Sequence, residues 1–387
     1  MKALVLGIGL QGKAVLHDLE RSPLVDEIVA ADLEAGPVEN HIRKGGLRKT
    51  RAVAVDASDP SGLRDAIRRS GARVVVCMLP PSLGLAVARA AVDEGVAFVS
   101  TSYAGPIADL DADARERGVT VLPEMGFDPG IDLVLAALAL GELDRVVGLR
   151  SYGGGLPEPT ACDNPLKYKI TWTFEGVLRA YTRPARLLED GRETRIPGTE
   201  LFRPDHVHTL AIPGLGAMEA FPNGDAVRYA EAFGLGPELQ HMGRYALRWP
   251  GHSAFWYPLV RLGFLDEDPV EVDGALVSPR RFLVEHLTPR LQFRPDERDV
   301  AVLRVHAWGE REGRKHEVVY DLIDYRDLDT GLFAMNRTVG YTASIAAQMV
   351  MAGEISRAGV LSPVRDVPGH RLLEELRARG IHVVRRT

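Results

Sequence analysis

At 387 residues the chain exceeds what one hydrophobic core usually organises, so two domains of ordinary size are expected. Apolar residues make up 45% and charged residues 26%, with a formal net charge of -6. That balance excludes disordered, fibrous and collagen-like classes and offers neither a nucleic-acid surface nor a polybasic membrane patch.

In chain order, Lys2 to Leu6 is an aliphatic run flanked by glycine and followed by an amphipathic segment from Gln11 to Arg21, which predicts strand, turn and helix. This opening apolar stretch spans only about ten residues before it meets charge, too short for a membrane span. It also lacks a small-residue cleavage site, so a cytoplasmic protein is expected. Further strands are predicted at Glu27 to Ala31, Arg51 to Val55, Ala72 to Met78, Ala97 to Ser100 and Thr120 to Leu122. Helices are predicted at Pro60 to Ser70, Pro81 to Glu94 and Ile107 to Arg117. This alternation with short connections predicts an α/β fold with a Rossmann doubly wound parallel sheet.

After Phe127 the rhythm changes to a glycine cluster at Gly153 to Gly155, proline-punctuated loops and strand-like segments at Ala301 to Ala307 and Glu317 to Ile323. A second α+β domain with a mixed sheet is expected. Ser344 to Gly353 reads as an apolar helix and Gly369 to Arg379 as a charged one ending at Gly380. The expected division is residues 1–124 for nucleotide, 125–336 for substrate and 337–387 as a C-terminal helical segment. Cys77 and Cys162 have no second Cys or His at ligand spacing, so neither a disulfide framework nor a metal site is expected.

Gly7, Ile8, Gly9, Leu10, Gln11 and Gly12 form GxGxxG between the first strand and helix. The first glycine permits the turn, the second lets backbone approach a diphosphate and the third allows helix and strand to pack closely. Asp32 follows the second strand, where a carboxylate accepts hydrogen bonds from ribose hydroxyls and repels a 2'-phosphate. NAD is therefore the expected cofactor. Arg43, Lys44 and Arg48 lie downstream, so NADP use stays open. Asp56 suits either the adenine ring or the cap of the helix that starts at Pro60. Met78, Leu79, Pro80 and Thr101 end predicted strands, where open parallel sheets bind ligands; buried connectors are the competing reading for Met78 and Leu79.

Five stretches follow in order: EMGFDPGIDL (124–133), SYGGGLPEPTACDNPLKYKITW (151–172), TRPAR (182–186), LRWPG (247–251) and NRTVGYTASIAAQMVMAG (336–353). Together with the glycine motif this set resembles the saccharopine dehydrogenase family, over nearly the whole chain. The resemblance implies hydride transfer between a nicotinamide and the carbon-nitrogen bond at the ε-carbon of a lysine-type amino acid. It also implies a homodimer, and a C-terminal segment that packs back on the Rossmann domain.

Two branches are relevant. Asp32 where saccharopine reductases carry Arg, glycine within Pro222-Asn223-Gly224-Asp225 where they carry a carboxylate-binding Arg, and TRPAR all favour L-lysine 6-dehydrogenase. GGLPEPTACDNPLKYKITW and Asp296-Glu297-Arg298-Asp299 favour saccharopine reductase. A non-catalytic NAD sensor is the reading from another class.

The resemblance carries roles to particular residues. Asp128 borders the nicotinamide and can handle a proton, with Asp132 as second choice and the first-turn acid of a helix as its alternative. Ser102 and Tyr103 stand where cofactor meets substrate. Leu156, Asn164, Lys167, Tyr168, Lys169 and Thr171 line the substrate side, and Lys169 can act as base if burial lowers its pKa. Arg244 suits an α-carboxylate, with Arg248 and Arg298 as alternatives and surface ion pairs as the competing reading. His252, beside Pro250-Gly251, is the one histidine singled out.

Overall fold

The computed structural model describes residues 1–386. In chain order the elements are β1 (Lys2–Leu6), α1 (Leu10–Arg21), β2 (Glu27–Asp32), α2 (Ala35–Gly45), β3 (Thr50–Ala54), α3 (Pro60–Ser70), β4 (Val74–Cys77), α4 (Pro81–Asp93), β5 (Ala97–Ser100), α5 (Asp111–Glu116), β6 (Thr120–Leu122) and α6 (Ile131–Leu140). They continue with β7 (Arg145–Pro157), α7 (Phe174–Ala180), β8 (Ala185–Glu189), β9 (Arg192–Ile196), β10 (His208–Ile212), β11 (Gly216–Pro222), β12 (His241–Arg248), α8 (His252–Arg261), β13 (Val270–Val272) and β14 (Ala275–Val277). The last are α9 (Pro279–Leu287), β15 (Asp299–Arg311), β16 (Arg314–Tyr325), α10 (Ala334–Ala352), β17 (Gly359–Val360), α11 (Pro363–Asp366), α12 (Gly369–Ala378) and β18 (Val383–Arg386).

The chain separates into two units. The first joins Met1–Val134 to Asn336–His382; the second holds Leu135–Met335, with residues 383–386. The first unit carries a seven-stranded sheet ordered β17-β6-β5-β4-β1-β2-β3, parallel at every pairing. Its central strands are near-continuous apolar runs such as VVVC because helices cover both faces. Leu4, Leu6, Val75, Val87, Phe98, Leu110 and Val121 form the core on one face. Residues from the C-terminal part join this unit at α1. A Cβ at Gly340 would lie 2.6 Å from the Ala14 Cβ and 2.7 Å from the Gln11 carbonyl oxygen, so α10 meets α1 at backbone distance. The buried Asp18 carboxylate accepts from Ser344 Oγ at 2.6 Å and from Arg379 Nε at 2.6 Å.

The second unit is a nine-stranded mixed sheet with main order β10-β11-β12-β7-β15-β16-β18 and the β8–β9 ribbon attached at β12. β12 and β7 run parallel, while β15 and β16 pair antiparallel along their length. Tyr168, Phe174, Tyr181, Phe202, Phe221 and Trp256 build an aromatic core.

Four differences from the sequence-based expectation have physical causes. α2 is absent from the predicted elements because Gly36, Pro37, Gly45 and Gly46 read as loop; Pro37 lies in the first turn, where it is tolerated, and Gly46 closes the helix in the left-handed conformation. The glycine cluster is interior strand in β7. A Cβ at Gly154 would sit 2.6 Å from the Leu247 carbonyl oxygen, and one at Gly155 would sit 2.5 Å from Met335 Cγ, so only glycine fits. α10 starts at Ala334, ahead of the predicted Ser344, because the Asp299 carboxylate accepts the Ala334 and Met335 N–H groups at 2.7 and 3.2 Å. Finally, β18 pairs with β16 in the second sheet, a partner invisible in a four-residue segment.

Candidate nucleotide and substrate sites

In the first unit β1 is flanked by β2 on one side and β4 on the other, so strand order reverses there and a crevice opens at the carboxyl ends. The glycine turn after β1 lies against the end of β4. Gly7 has φ +90, and a Cβ there would stand 2.9 Å from the Met78 carbonyl carbon and 3.0 Å from the Leu79 nitrogen. A Cβ at Gly12 would stand 2.0 Å from the Gly7 carbonyl oxygen, whereas one at Gly9 would meet nothing within 4 Å. The outer glycines thus satisfy packing, and the middle one leaves the approach to backbone open. α1 begins with neither a side-chain cap nor a first-turn acid, which suits an anion. These residues fit a dinucleotide diphosphate.

Asp32 ends β2 with both oxygens engaged. Oδ2 accepts the Ile8 N–H at 2.6 Å and Oδ1 the Leu33 N–H at 2.8 Å, tying the glycine turn to the end of β2. A cleft of about 290 Å³ beside it is lined by Ile8, Lys13, Asp32, Leu33, Glu34, Pro37 and Val38. The cap of α3 is Asp59, which accepts from Ser61 and Gly62. Asp56 instead closes a turn on Ser58, accepting its Oγ–H at 2.6 Å and its N–H at 2.8 Å, bonds that lower its pKa. Pro80 is the N-cap residue of α4.

Tyr103 and Asp128 ride on neighbouring loops at the same edge of the sheet. Glu124, at φ 65, donates its N–H to the Ser102 carbonyl at 3.0 Å and accepts the Ala104 N–H at 3.2 Å. Gly126 abuts Thr101, a Cβ there falling 3.2 Å from the Thr101 Cβ. In the Asp128-Pro129-Gly130 turn, Asp132 Oδ1 accepts the Gly130 N–H at 2.8 Å. Burial, aided by the nearby Glu124 charge, pushes the Asp132 carboxyl up to about 7. Sequence reasoning missed Glu124; a polar residue just beyond a predicted strand end was its only signal.

In the second unit Lys169 is 3% exposed and its ammonium lies 2.7 Å from both Glu297 oxygens and 2.9 Å from Asp163 Oδ1. Arg294 closes the ring, reaching Asp163 at 2.9 Å and Glu297 at 2.6 Å. Asn164 braces its own loop, donating to the Tyr168 carbonyl at 2.9 Å. Leu156 and Thr171 are fully buried. Arg244 and Arg248 alternate along β12 on one face, both buried. Arg244 lies 5.2 Å from the Tyr229 ring.

Arg248 is no surface ion pair. Its hydrogen bonds go to Tyr181 Oη at 3.1 Å and the Leu247 carbonyl at 2.8 Å, and it lies 5.3 Å from the Tyr168 ring. No carboxylate pairs with it among the described residues. His252 shares the Tyr181 hydroxyl at 2.8 Å, and burial plus the Arg248 charge hold its pKa well below 6.5. Gly224 stands at φ +70, and the Arg183 guanidinium comes within 3.3 Å of where its Cβ would be. A cation therefore occupies the vicinity that the missing arginine suggested was empty, so Gly224 does not by itself separate the two branches.

A switch-point crevice with an open glycine cradle, joined in sequence to a mixed-sheet unit with buried cations, defines a two-domain dinucleotide-binding protein. The chain belongs to the saccharopine dehydrogenase family: residues 3–122 match the model described as the saccharopine dehydrogenase NADP binding domain and residues 126–381 the saccharopine dehydrogenase C-terminal domain. It is 27% identical to the saccharopine dehydrogenase [NADP(+), L-glutamate-forming] of Pyricularia oryzae, over 97% of this chain and 96% of that one. It is also 27% identical to the mitochondrial alpha-aminoadipic semialdehyde synthase of Bos taurus, over 98% of this chain, and spans 47% of that longer protein. The solved apo saccharopine dehydrogenase (L-Glu forming) of Saccharomyces cerevisiae superposes with a TM-score of 0.86 at 24% identity, covering 100% and 99% of the two chains. The fold is thereby shared. No helix among the described residues is long and apolar enough to cross a membrane.

Proposed function

We propose that the chain is a pyridine-nucleotide-dependent dehydrogenase that oxidises saccharopine at the ε-carbon of its lysine portion, forming L-glutamate and a semialdehyde. The observation that carries this reading is the end-to-end similarity to a fungal protein named for that reaction. It displaces L-lysine 6-dehydrogenase, the sequence-based preference, which no matched relative named above supports.

When bound, a nicotinamide would supply the hydride acceptor for the ε-carbon, and water added to the resulting substrate imine would release L-glutamate and leave the semialdehyde. The glycine turn, Met78, Leu79, Pro80 and Thr101 hold the nucleotide in this reading. Asp128 takes the proton from the substrate nitrogen, its carboxylate being favoured beside a cationic ring, and Tyr103 hydrogen-bonds the amino acid. Ser102, Leu156, Asn164, Thr171 and Arg244 orient the amino acid. Arg248, four residues from Arg244 and so about 13 Å away at the usual strand rise, supplies a second cation for a substrate with well-separated carboxylates. Lys169 is a positioning residue here, because its ammonium is consumed by two carboxylates. A homodimer in the cytoplasm remains part of the proposal.

The test supplies purified protein with NAD or NADP and either saccharopine or lysine, and follows reduced nicotinamide and released glutamate. Saccharopine-dependent reduction with stoichiometric glutamate is expected. Reduction by lysine alone with ammonia release establishes the other branch instead, and nucleotide binding without turnover of either substrate leaves a sensor.

A further inference from the structure

We infer that Lys13 recognises the 2'-phosphate of NADP, so that the cleft beside Asp32 takes both pyridine nucleotides. The inference rests on the nucleotide-binding part of the proposed function, and its substrate is not involved. Lys13 stands in the first turns of α1, just beyond Gly12, and lines the same cleft of about 290 Å³ as Asp32, Leu33 and Glu34. Its ammonium makes neither hydrogen bond nor ion pair among the described residues, although two carboxylates line that cleft with it. Other cations of the first unit, among them Lys2, Arg51, Arg68, Arg69, Arg89 and Arg115, are engaged by acids. The nearby His41 imidazole is kept neutral by burial and by the Lys13 charge, so it does not compete for an anion.

Asp32 is the residue expected to exclude a 2'-phosphate, but its carboxylate already accepts two backbone N–H groups. Those donors offset part of its negative potential and hold it against the glycine turn. The remaining charge balance at the ribose is therefore set by Glu34 against Lys13. A compact ammonium on a flexible stem binds phosphate as a point charge and needs no fixed fork geometry. Neutral ribose gains little from it, so Lys13 discriminates between the two nucleotides and leaves NADH affinity to the glycine cradle and Asp32.

Calorimetry with NADH and NADPH, on the wild-type chain and on Lys13→Met and Lys13→Arg, reads this without any turnover. Lys13→Met is expected to weaken NADPH about 10- to 100-fold, the size of one charge-assisted hydrogen bond. NADH affinity should be unchanged, which also reports an intact fold, and Lys13→Arg should keep NADPH binding. Equal loss of both nucleotides, or no loss of NADPH, overturns the inference. So does a wild-type chain that binds NADH alone, an outcome that leaves the dehydrogenase reading standing.

Discussion

A lysine can serve as a general base only if its ammonium is free to give up a proton. The Lys169 ammonium is instead bonded to Glu297 and Asp163 in a nearly dry setting, and the same contacts hold the Asp163 carboxyl below its ordinary pKa. Removing one member of a buried pair leaves the other charge uncompensated, at a cost of about 3–5 kcal/mol. Lys169→Met is therefore expected to lower the urea midpoint of the second unit strongly, and Lys169→Met with Glu297→Leu to recover part of the loss. A Lys169→Met protein of wild-type stability that had lost turnover would return the residue to the role of base. The sequence could suggest the residue type but not its pairing with Glu297, which lies 128 residues further along the chain.

At the scale of elements, the alternation of strands and helices up to Leu122 was legible apart from α2, because each of the others carries its own periodicity and punctuation. α3 runs from Pro60 to Ser70 as predicted, since Asp59 caps it, Pro60 starts it and Gly71 stops it. What stayed hidden depends on distant partners: the Asp299 carboxylate at the start of α10, and the neighbours that demand glycine inside β7. Two glycines near α1 separate packing from binding. Gly340→Ala forces a methyl into Ala14 and the Gln11 carbonyl, so it should destabilise the first unit by about 1–3 kcal/mol. Gly9→Ala meets open space; it should leave stability nearly unchanged and weaken nucleotide binding by crowding the diphosphate. Thermal unfolding and calorimetry on the two variants distinguish these outcomes, and a Gly9→Ala protein with wild-type NADH affinity would remove the diphosphate from that turn.

Across the whole molecule, each unit buries an acid that holds its proton unusually late: Asp132 in the first and Asp299 in the second, both raised to about 7 chiefly by burial. An unfolded aspartate releases its proton near about pH 3.9, so between there and neutrality the folded state binds more protons than the unfolded one. Stability must then fall as pH rises through this window, by on the order of 1 kcal/mol per pH unit for each group. His252 acts in the opposite sense, because its neutral buried ring loses stability as pH drops below 6.5.

Asparagine keeps an acceptor oxygen for the Ala334 N–H or the Gly130 N–H but does not titrate. Asp299→Asn and Asp132→Asn should therefore each gain stability relative to wild type as pH rises from about 5 to about 7. All four tryptophans, Trp172, Trp249, Trp256 and Trp308, belong to the second unit. Tryptophan fluorescence in urea consequently reads Asp299→Asn, while the first unit needs a probe of its own, such as loss of NADH binding. Wild type and Asp299→Asn profiles that stay parallel across the window would show that Asp299 is ionised in the folded chain and that its two backbone donors outweigh its burial.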